Sequence, residues 1–322
     1  MIVGAICMSH SPLLDKVRAP AETEAAFNEA LERVRDKVFA LKPDLAVVFY
    51  PDHLNGFFYD LLPAFCVGIE GYSVGDYGSS AGRLTVPVPL AEELVRSIIH
   101  DGVDTALSYK IVVDHGAVQP LELLAIGHDL PPFIPVFINS AAAPRPTFRR
   151  VRAMGEAVGR WAARRPERVL LIGSGGLSHD PPIPAFAGAA PELRNMLING
   201  IGNITFEQRF ARTSKVVGEG VKVQMGLSNL RPPNPEWDRM LLDAFVSAKL
   251  DVLDESDDDE LTDICGRGGH EIRTWVATLA ALSSQGEYQA TVDFYQPVEV
   301  WLTGMGVMTA IPAIPSRPCV QP

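Results

Sequence analysis

Short apolar runs alternate with amphipathic stretches through the first 180 residues or so of the chain. The runs are rich in β-branched and aromatic residues, which favour strands. We predict strands over residues 2–7, 45–50, 65–69, 106–113, 133–138 and 169–172, with a late strand over 300–311. Strands that alternate with helical patterns are typical of an α/β protein built on a central sheet.

The segment between the first two strands shows the clearest helical period. Its apolar residues recur at alternating steps of four and three, as on one buried helix face: Phe27, Leu31, Val34, Val38 and Leu41. The helix should end before Pro43, because the residue before a proline disfavours helical geometry. Two more helices are predicted over residues 89–100 and 147–163.

From about residue 191 to 284 the pattern becomes mostly helical, broken by RPPNPEW and by the acidic run DVLDESDDDEL. We interpret the acidic run as a solvated turn whose acids lie near a helix N-terminus. No linker divides the chain, so we predict a single domain over residues 1–322. Its central mixed sheet is flanked by helices, and a helical insertion over roughly 185–265 covers the sheet or forms a lid.

The composition of the chain narrows the classes of partner that the protein could bind. The net charge of -11 and the pI near 5.1 disfavour nucleic acid. No apolar segment reaches the length of a membrane span, so we expect a soluble, cytoplasmic protein without a membrane partner. The cysteines are Cys7, Cys66, Cys265 and Cys319, and their scattered spacing indicates reduced thiols.

Four histidines stand just after apolar runs and beside glycine or proline. They lie in the strings MSHSP, PDHLNG, VDHGAVQP and GSGGLSHD: His10, His53, His115 and His179. Each alone is typical of a loop histidine that is satisfied by a hydrogen bond. Ligands of open α/β sheets bind beyond the carboxyl ends of the strands, so the four could converge on one pocket.

Glu271 lies where the glycine-rich turn of GRGGHE leads into an apolar helix. A carboxylate there commonly caps the helix or complements its dipole. Two imidazoles and one carboxylate also form the facial triad of non-haem Fe(II) oxygenases, which leaves positions open for substrate and O2. The same residue types suit zinc or manganese, so spacing alone leaves the metal open.

The strings CMSHSPL, PDHLNGFFYD, VDHGAVQPLE, PVFINS, GSGGLSHDPP, NPEWD and HEIRTWVA closely resemble those of the class III extradiol dioxygenases, in the same order over nearly the whole chain. The resemblance implies an Fe(II) enzyme that uses O2 to open a catechol ring outside its two hydroxyls. It also implies that His10, His53 and Glu271 bind the iron, that His115 and His179 handle protons, and that the protein is a homo-oligomer.

Within that resemblance, we assign His179 as the base that accepts a catechol proton and His115 as the general acid. The implied substrate is a catechol with a three-carbon carboxylate side chain at position 3, although related enzymes accept protocatechuate, gallate and other catechols. Two further interpretations stay open: a zinc-dependent hydrolase in the same pocket, and a binding protein that holds no metal.

Overall fold

The computed structural model describes residues 1–127, 129, 131–200 and 204–313. Its strands are β1 (Ile2–Met8), β2 (Leu45–Tyr50), β3 (Phe65–Gly68), β4 (Gly71–Val74), β5 (Ala81–Arg83), β6 (Ala106–Ser108), β7 (Ile111–Val113), β8 (Phe133–Ile138), β9 (Val169–Ser174), β10 (Tyr288–Val298) and β11 (Thr303–Pro312). Its helices are α1 (Ala21–Ala40), α2 (Val88–His100), α3 (His115–Ala125), α4 (Phe148–Ala163), α5 (Pro191–Asn199), α6 (Phe206–Gln224), α7 (Pro235–Val246), α8 (Asp258–Cys265) and α9 (Ile272–Ser283).

The main sheet is mixed and has the strand order β10-β11-β1-β9-β2-β8-β3-β6. Its centre is parallel, because β9 pairs in parallel with both β1 and β2, and β2 pairs in parallel with β8. Antiparallel pairs flank this centre, β11 against β1 on one side and β3 against β8 on the other. A small second sheet has the order β5-β4-β7. The predicted α/β fold with a mixed central sheet is confirmed.

Both faces of the central strands are covered. Side chains of a strand point alternately to opposite faces. In β2, Leu45, Val47 and Phe49 therefore join the core that contains α2, α4, α7 and α9, while Ala46 and Val48 join the core that contains α1 and α3. This two-sided burial explains why β2 is apolar at every position, as central parallel strands usually are.

Helix α9 is buried on all sides, since every residue from 272 to 282 is inaccessible to solvent. It packs between the sheet and α4, which accounts for its mostly apolar sequence, and its buried polar side chains, Arg273, Thr274 and Thr278, all make hydrogen bonds. A one-turn 3-10 helix, Gly268–Glu271, leads into it. The deep packing of α9 fixes the position of Glu271 at its start.

The strand predicted over 106–113 is wrong as a single element. The Ser108 hydroxyl accepts the N–H of Lys110 and closes a turn, so β6 joins the main sheet and β7 joins the small one. The strand predicted from 300 begins only at Thr303, because residues 299–301 form a 3-10 turn that ends at Leu302 with φ 57°. The prediction missed β4, β5 and β10.

The acidic run is more ordered than a solvated turn. Asp257 caps α8 by accepting the N–H groups of the next turn, as acids near a helix N-terminus do. Asp254 pairs with Arg152, and Asp258 pairs with the buried Arg273. These ion pairs join the run to α4 and α9.

Cys7, Cys66 and Cys265 are buried free thiols, as predicted, whereas Cys319 lies outside the described residues. Burial raises the pKa of the Cys66 and Cys265 thiols to about 12. None of the helices in the described ranges combines the length and the apolar composition that a membrane span requires.

Candidate metal centre and active site

Neighbouring parallel strands bring the histidines together. His10 follows β1, His53 follows β2, and His179 follows β9, which lies between those two strands. The carboxyl ends of parallel strands meet at one edge of a sheet, so the loops that leave them share that edge. His115 arrives differently, as the first residue of α3 directly after the small sheet.

Glu271 reaches the same point from α9. The Nε2 atoms of His10 and His53 lie 3.3 Å apart. The Glu271 carboxylate lies 3.2 Å from Nε2 of His53 and 3.6 Å from Nε2 of His10. The structure thus brings together the three residues expected to hold a metal. The carboxylate does not cap α9, and Oε2, the oxygen nearer His10, also accepts the N–H of Gly176 at 2.8 Å.

Nε2 of His10 and Nε2 of His53 can bind a metal, because Nδ1 of each ring is already held by a hydrogen bond. The Ser174 hydroxyl donates to the Gly116 carbonyl, so it accepts from Nδ1 of His10 at 2.9 Å. The Asp114 carboxylate can only accept, so Nδ1 of His53 donates to it at 3.1 Å. In its neutral form each ring therefore presents an Nε2 lone pair to the site, in the way that partners of metal-binding histidines orient them.

His115 and His179 are held in the same way, each by a hydrogen bond from Nδ1. Nδ1 of His115 donates to the buried Asp76 carboxylate at 2.7 Å, and that carboxylate also accepts the His115 backbone N–H. Nδ1 of His179 donates to the Leu177 carbonyl at 2.7 Å. Nε2 of each ring remains available for proton transfer. The His115 ring stacks on His53 with centroids 4.4 Å apart, and Nε2 of His179 lies 3.4 Å from Glu271.

Two glycines make room for His179. A Cβ added at Gly268 would lie 2.1 Å from Nε2 of the His179 ring, and one at Gly176 would lie 2.5 Å from its Cε1. No side chain fits at such distances without displacing the ring. The glycines of GSGG and GRGG therefore serve the position of the imidazole.

Burial and charge act against each other in this cluster. Burial lowers the pKa of His10 to about 3, which favours the neutral ring that a metal needs. Burial also lowers the pKa of His53 and His179, but the charges of Asp114 and Glu271 outweigh it, so both values are raised. Burial raises the pKa of Glu271, but the surrounding histidines hold it well below its usual range.

The donor set fits a metal ion. Adjacent ligand atoms bound at about 2.1 Å to one ion lie about 3.0–3.4 Å apart, depending on geometry, and the contacts among His10, His53 and Glu271 are close to that range. A second set is also close enough to be considered, because ring nitrogens of His10, His53 and His115 lie within 4.8 Å of one another. Either set could hold an ion, and each includes the same two imidazoles.

The cluster opens onto a cavity of about 250 Å³. All four histidines line it, together with an apolar wall from the 181–184 loop and α5: Pro181, Pro182, Ile183, Pro184, Leu193 and Met196. Tyr77 also lines the cavity, and its ring stands edge-on to His115 at 4.8 Å between centroids. The size of the cavity and its apolar wall suit a small aromatic molecule.

The sequence analysis missed the residues that hold the histidines by hydrogen bonds. Asp114 had a signal, because it directly precedes His115 in VDHG, and Ser174 had a weaker one in GSGG. Asp52, also in PDH, holds the loop of His53 by accepting the N–H groups of residues 55–57. Asp76 had no comparable signal. It reaches His115 only because the small sheet folds beside α3.

Comparison with known proteins agrees with this site. Residues 4–306 match the family described as the catalytic LigB subunit of aromatic ring-opening dioxygenase. The chain therefore belongs to the LigB family, the class III extradiol dioxygenases, and is an oxidoreductase that opens an aromatic ring.

Curated relatives define the group within the family. Three proteins named 2,3-dihydroxyphenylpropionate/2,3-dihydroxicinnamic acid 1,2-dioxygenase are similar over nearly their whole lengths. The one from Rhodococcus rhodochrous is 45% identical over 96% of this chain and 98% of its own length. The one from Paraburkholderia xenovorans is 45% identical over 95% and 96%, and the one from Escherichia coli is 41% identical over 94% and 97%.

Proposed function

We propose that the protein is an Fe(II)-dependent extradiol dioxygenase that opens 2,3-dihydroxyphenylpropionate or a similar 3-substituted catechol with O2. One observation carries the proposal. The Nε2 atoms of His10 and His53 and the carboxylate oxygens of Glu271 lie 3.2–3.6 Å apart, beside an apolar cavity large enough for a small aromatic molecule. The names of the curated relatives support the substrate class.

His10, His53 and Glu271 would hold the iron, in the arrangement typical of non-haem Fe(II) oxygenases. Ferrous iron would supply positions for both catechol oxygens and for O2, and a route by which electrons of the catecholate reach O2. Glu271 is preferred over His115 as the third ligand because its carboxylate lies 3.2–3.6 Å from both imidazoles and because Asp76 gives His115 a partner suited to proton transfer.

His179 accepts the proton of a catechol hydroxyl at Nε2. Its Nδ1–H is committed to the Leu177 carbonyl, so the neutral ring carries its lone pair on Nε2. A cation bound at Glu271 removes the influence that raises the pKa of His179, and burial then favours the neutral ring.

His115 donates a proton from Nε2 during ring opening. When Nε2 is protonated the ring is positive, and the adjacent Asp76 carboxylate at 2.7 Å is its counter-charge. The stacking of His115 on His53 holds this proton beside the proposed metal ligands. General acid–base groups of this kind contribute about 10²–10⁴-fold to the rate.

Residues 185–265 contribute the proposed cover of the site. Leu193 and Met196 of α5 line the cavity, as does Val216 of α6, whereas Trp237 of α7 and Leu261 of α8 lie in the main core. We propose that α5 and α6 form the lid of the single catalytic domain. We further propose a homo-oligomer in the cytoplasm, as the family resemblance implies, and analytical ultracentrifugation gives the number of subunits.

The decisive experiment is anaerobic reconstitution with Fe(II), followed by oxygen uptake with a panel of catechols. We expect the yellow ring-opened product, fastest with 2,3-dihydroxyphenylpropionate and slower with protocatechuate or gallate. His115→Gln and His179→Gln should keep iron and lose turnover, whereas Glu271→Gln should lose iron as well. Full turnover by the His115→Gln and His179→Gln variants would refute the proton roles.

The donor separations also suit a tetrahedral zinc ion, so a zinc hydrolase is the second candidate. Metal analysis of the isolated protein, with activity compared after loading by Fe(II) or Zn²⁺, separates the two. Oxygen uptake with Fe(II) alone supports the dioxygenase. Failure to bind either metal would favour a binding protein.

A further inference from the structure

Two basic residues of α6, Arg212 and Lys215, line the same cavity as the histidines. The Glu271 carboxylate contacts the histidines of this cavity, but no aspartate or glutamate is among the described residues that line the cavity itself. The chain as a whole carries a net charge of -11 and repels anions. A cationic patch on the cavity wall therefore stands out as a place where an anion is attracted.

Arg212 is a fixed part of the wall. Its guanidinium donates to the carbonyl of His53 at 2.6 Å and to the carbonyl of Leu54 at 2.9 Å, so it holds the loop that carries a proposed metal ligand. Both partners are neutral carbonyl groups, so these hydrogen bonds leave its positive charge unneutralised.

Lys215 is the free cation of the pair. It lies three residues after Arg212, on the same side of the helix. Its side chain is exposed at the cavity, and the described part of the chain offers it no carboxylate at ion-pair distance. Lys222, the other lysine of α6, pairs with Glu219 on its own helix. Lys215 therefore has its three N–H donors available for a ligand.

We propose that Lys215 binds the side-chain carboxylate of the substrate and that Arg212 is a positioning residue whose charge reinforces the anion site. This inference rests on the proposed function. With the catechol oxygens on a metal held by His10, His53 and Glu271, the ring and its aliphatic chain would lie among the apolar residues of the cavity, which offer no partner to the carboxylate at the end of the chain. The flexible stem of Lys215 brings its ammonium group to that charge.

Lys215→Met tests the contact by its effect on acids and neutral analogues. With 2,3-dihydroxyphenylpropionate we expect KM to rise about 10–100-fold, since hydrogen bonds to charged groups contribute about that much, while kcat changes little. With 3-propylcatechol, which has the same chain length and no charge, KM should not change. Lys222→Met removes the same charge from the same helix and should leave both KM values unchanged.

A binding experiment separates failure of this proposal from failure of the proposed function. 3-Phenylpropionate has the acid and no catechol, and 3-phenylpropanol is its neutral counterpart. Calorimetry should show that Lys215→Met weakens binding of the acid at least tenfold and leaves the alcohol unaffected. If the wild-type protein opens no catechol, the proposed function fails, and this measurement still decides the anion site. Equal binding of the acid by the wild-type and Lys215→Met proteins overturns the assignment, as does an equal rise in KM for both catechols.

Discussion

Replacing Asp114 by asparagine changes a residue that supports the proposed metal site and leaves every proposed ligand in place. Oδ2 of Asp114 accepts Nδ1 of His53 at 3.1 Å, the His53 backbone N–H at 2.9 Å and the Asn55 amide at 2.9 Å. Oδ1 accepts the Gly116 N–H at 2.9 Å and caps α3. Burial raises the pKa of Asp114, but His53 and the other donors outweigh it and hold the carboxylate ionised.

An asparagine has one accepting oxygen where the aspartate has two. If that oxygen replaces Oδ2, the amide group faces the Gly116 N–H, and a buried donor that loses its acceptor costs about 1–3 kcal/mol of stability. The neutral oxygen also makes His53 a weaker ligand, since loss of such partners lowers metal affinity about 10–100-fold. We therefore expect Asp114→Asn to fold with reduced stability and to bind Fe(II) about 10–100-fold more weakly.

Chelator competition under anaerobic conditions measures the affinity, and urea unfolding of the metal-free protein measures the stability. Asp76→Asn is the matched control, because Asp76 is a buried carboxylate that holds Nδ1 of His115. It should reduce turnover and leave the Fe(II) affinity within about threefold of wild type, well below the effect expected at a ligand's partner. If Asp76→Asn weakens iron binding as much as Asp114→Asn does, then His115 is a ligand and the assignment of Glu271 fails.

Three further predictions concern the packing and charge around the site. Gly268→Ala places a Cβ 2.1 Å from Nε2 of His179, so steady-state kinetics should show kcat reduced by about 10²–10⁴-fold; unchanged kcat would contradict the role of that ring. His270 has its pKa lowered to about 2 by burial, Arg145 and Arg273, so it stays neutral in the folded protein while the unfolded chain protonates it near pH 6.5. Its stabilising contribution is therefore complete above about pH 6.5 and decreases by up to about 1.4 kcal/mol for each pH unit below that; urea unfolding at pH 7 and pH 5.5 should show a smaller pH dependence in His270→Gln than in wild type, and equal slopes would argue against it. Leu279→Ala should lower the free energy of unfolding by about 2–5 kcal/mol, since Leu279 is fully buried within α9, and a loss below about 1 kcal/mol would show that the core there is loosely packed.

Much of the fold could be predicted because the central strands are buried on both faces. Continuous apolar runs such as 45–50 predict central strands. The carboxyl ends of parallel strands lie at one edge of the sheet, so residues that follow those strands are predicted to lie near one another. That rule predicts one pocket for His10, His53, His115 and His179, but only His10, His53 and His179 follow strands of the main sheet, whereas His115 reaches the pocket from the small sheet. The resemblance to the family added Glu271 and the distinct roles of the histidines.

The rest depends on contacts that sequence patterns do not encode. Glu271 looks like an ordinary acid at a helix start, and only the burial of α9 aims it at the histidines. Asp76 lies in a one-turn 3-10 helix with left-handed geometry at Tyr77, and it meets His115 through the small sheet. The edge strand β10 contains Asp293, Gln296 and Pro297, which mask its β pattern.

The proposed metal ligands come from the first loop of the protein and from the start of α9, positions 10 and 271, with 53 between them. An ion shared by these positions ties together segments that separate when the chain unfolds. Because the unfolded chain has no such site, Fe(II) at one hundred times its Kd would add about 2.7 kcal/mol to the stability of the fold. Removal of the iron would then lower the stability of the whole fold, in addition to its effect on the proposed catalysis.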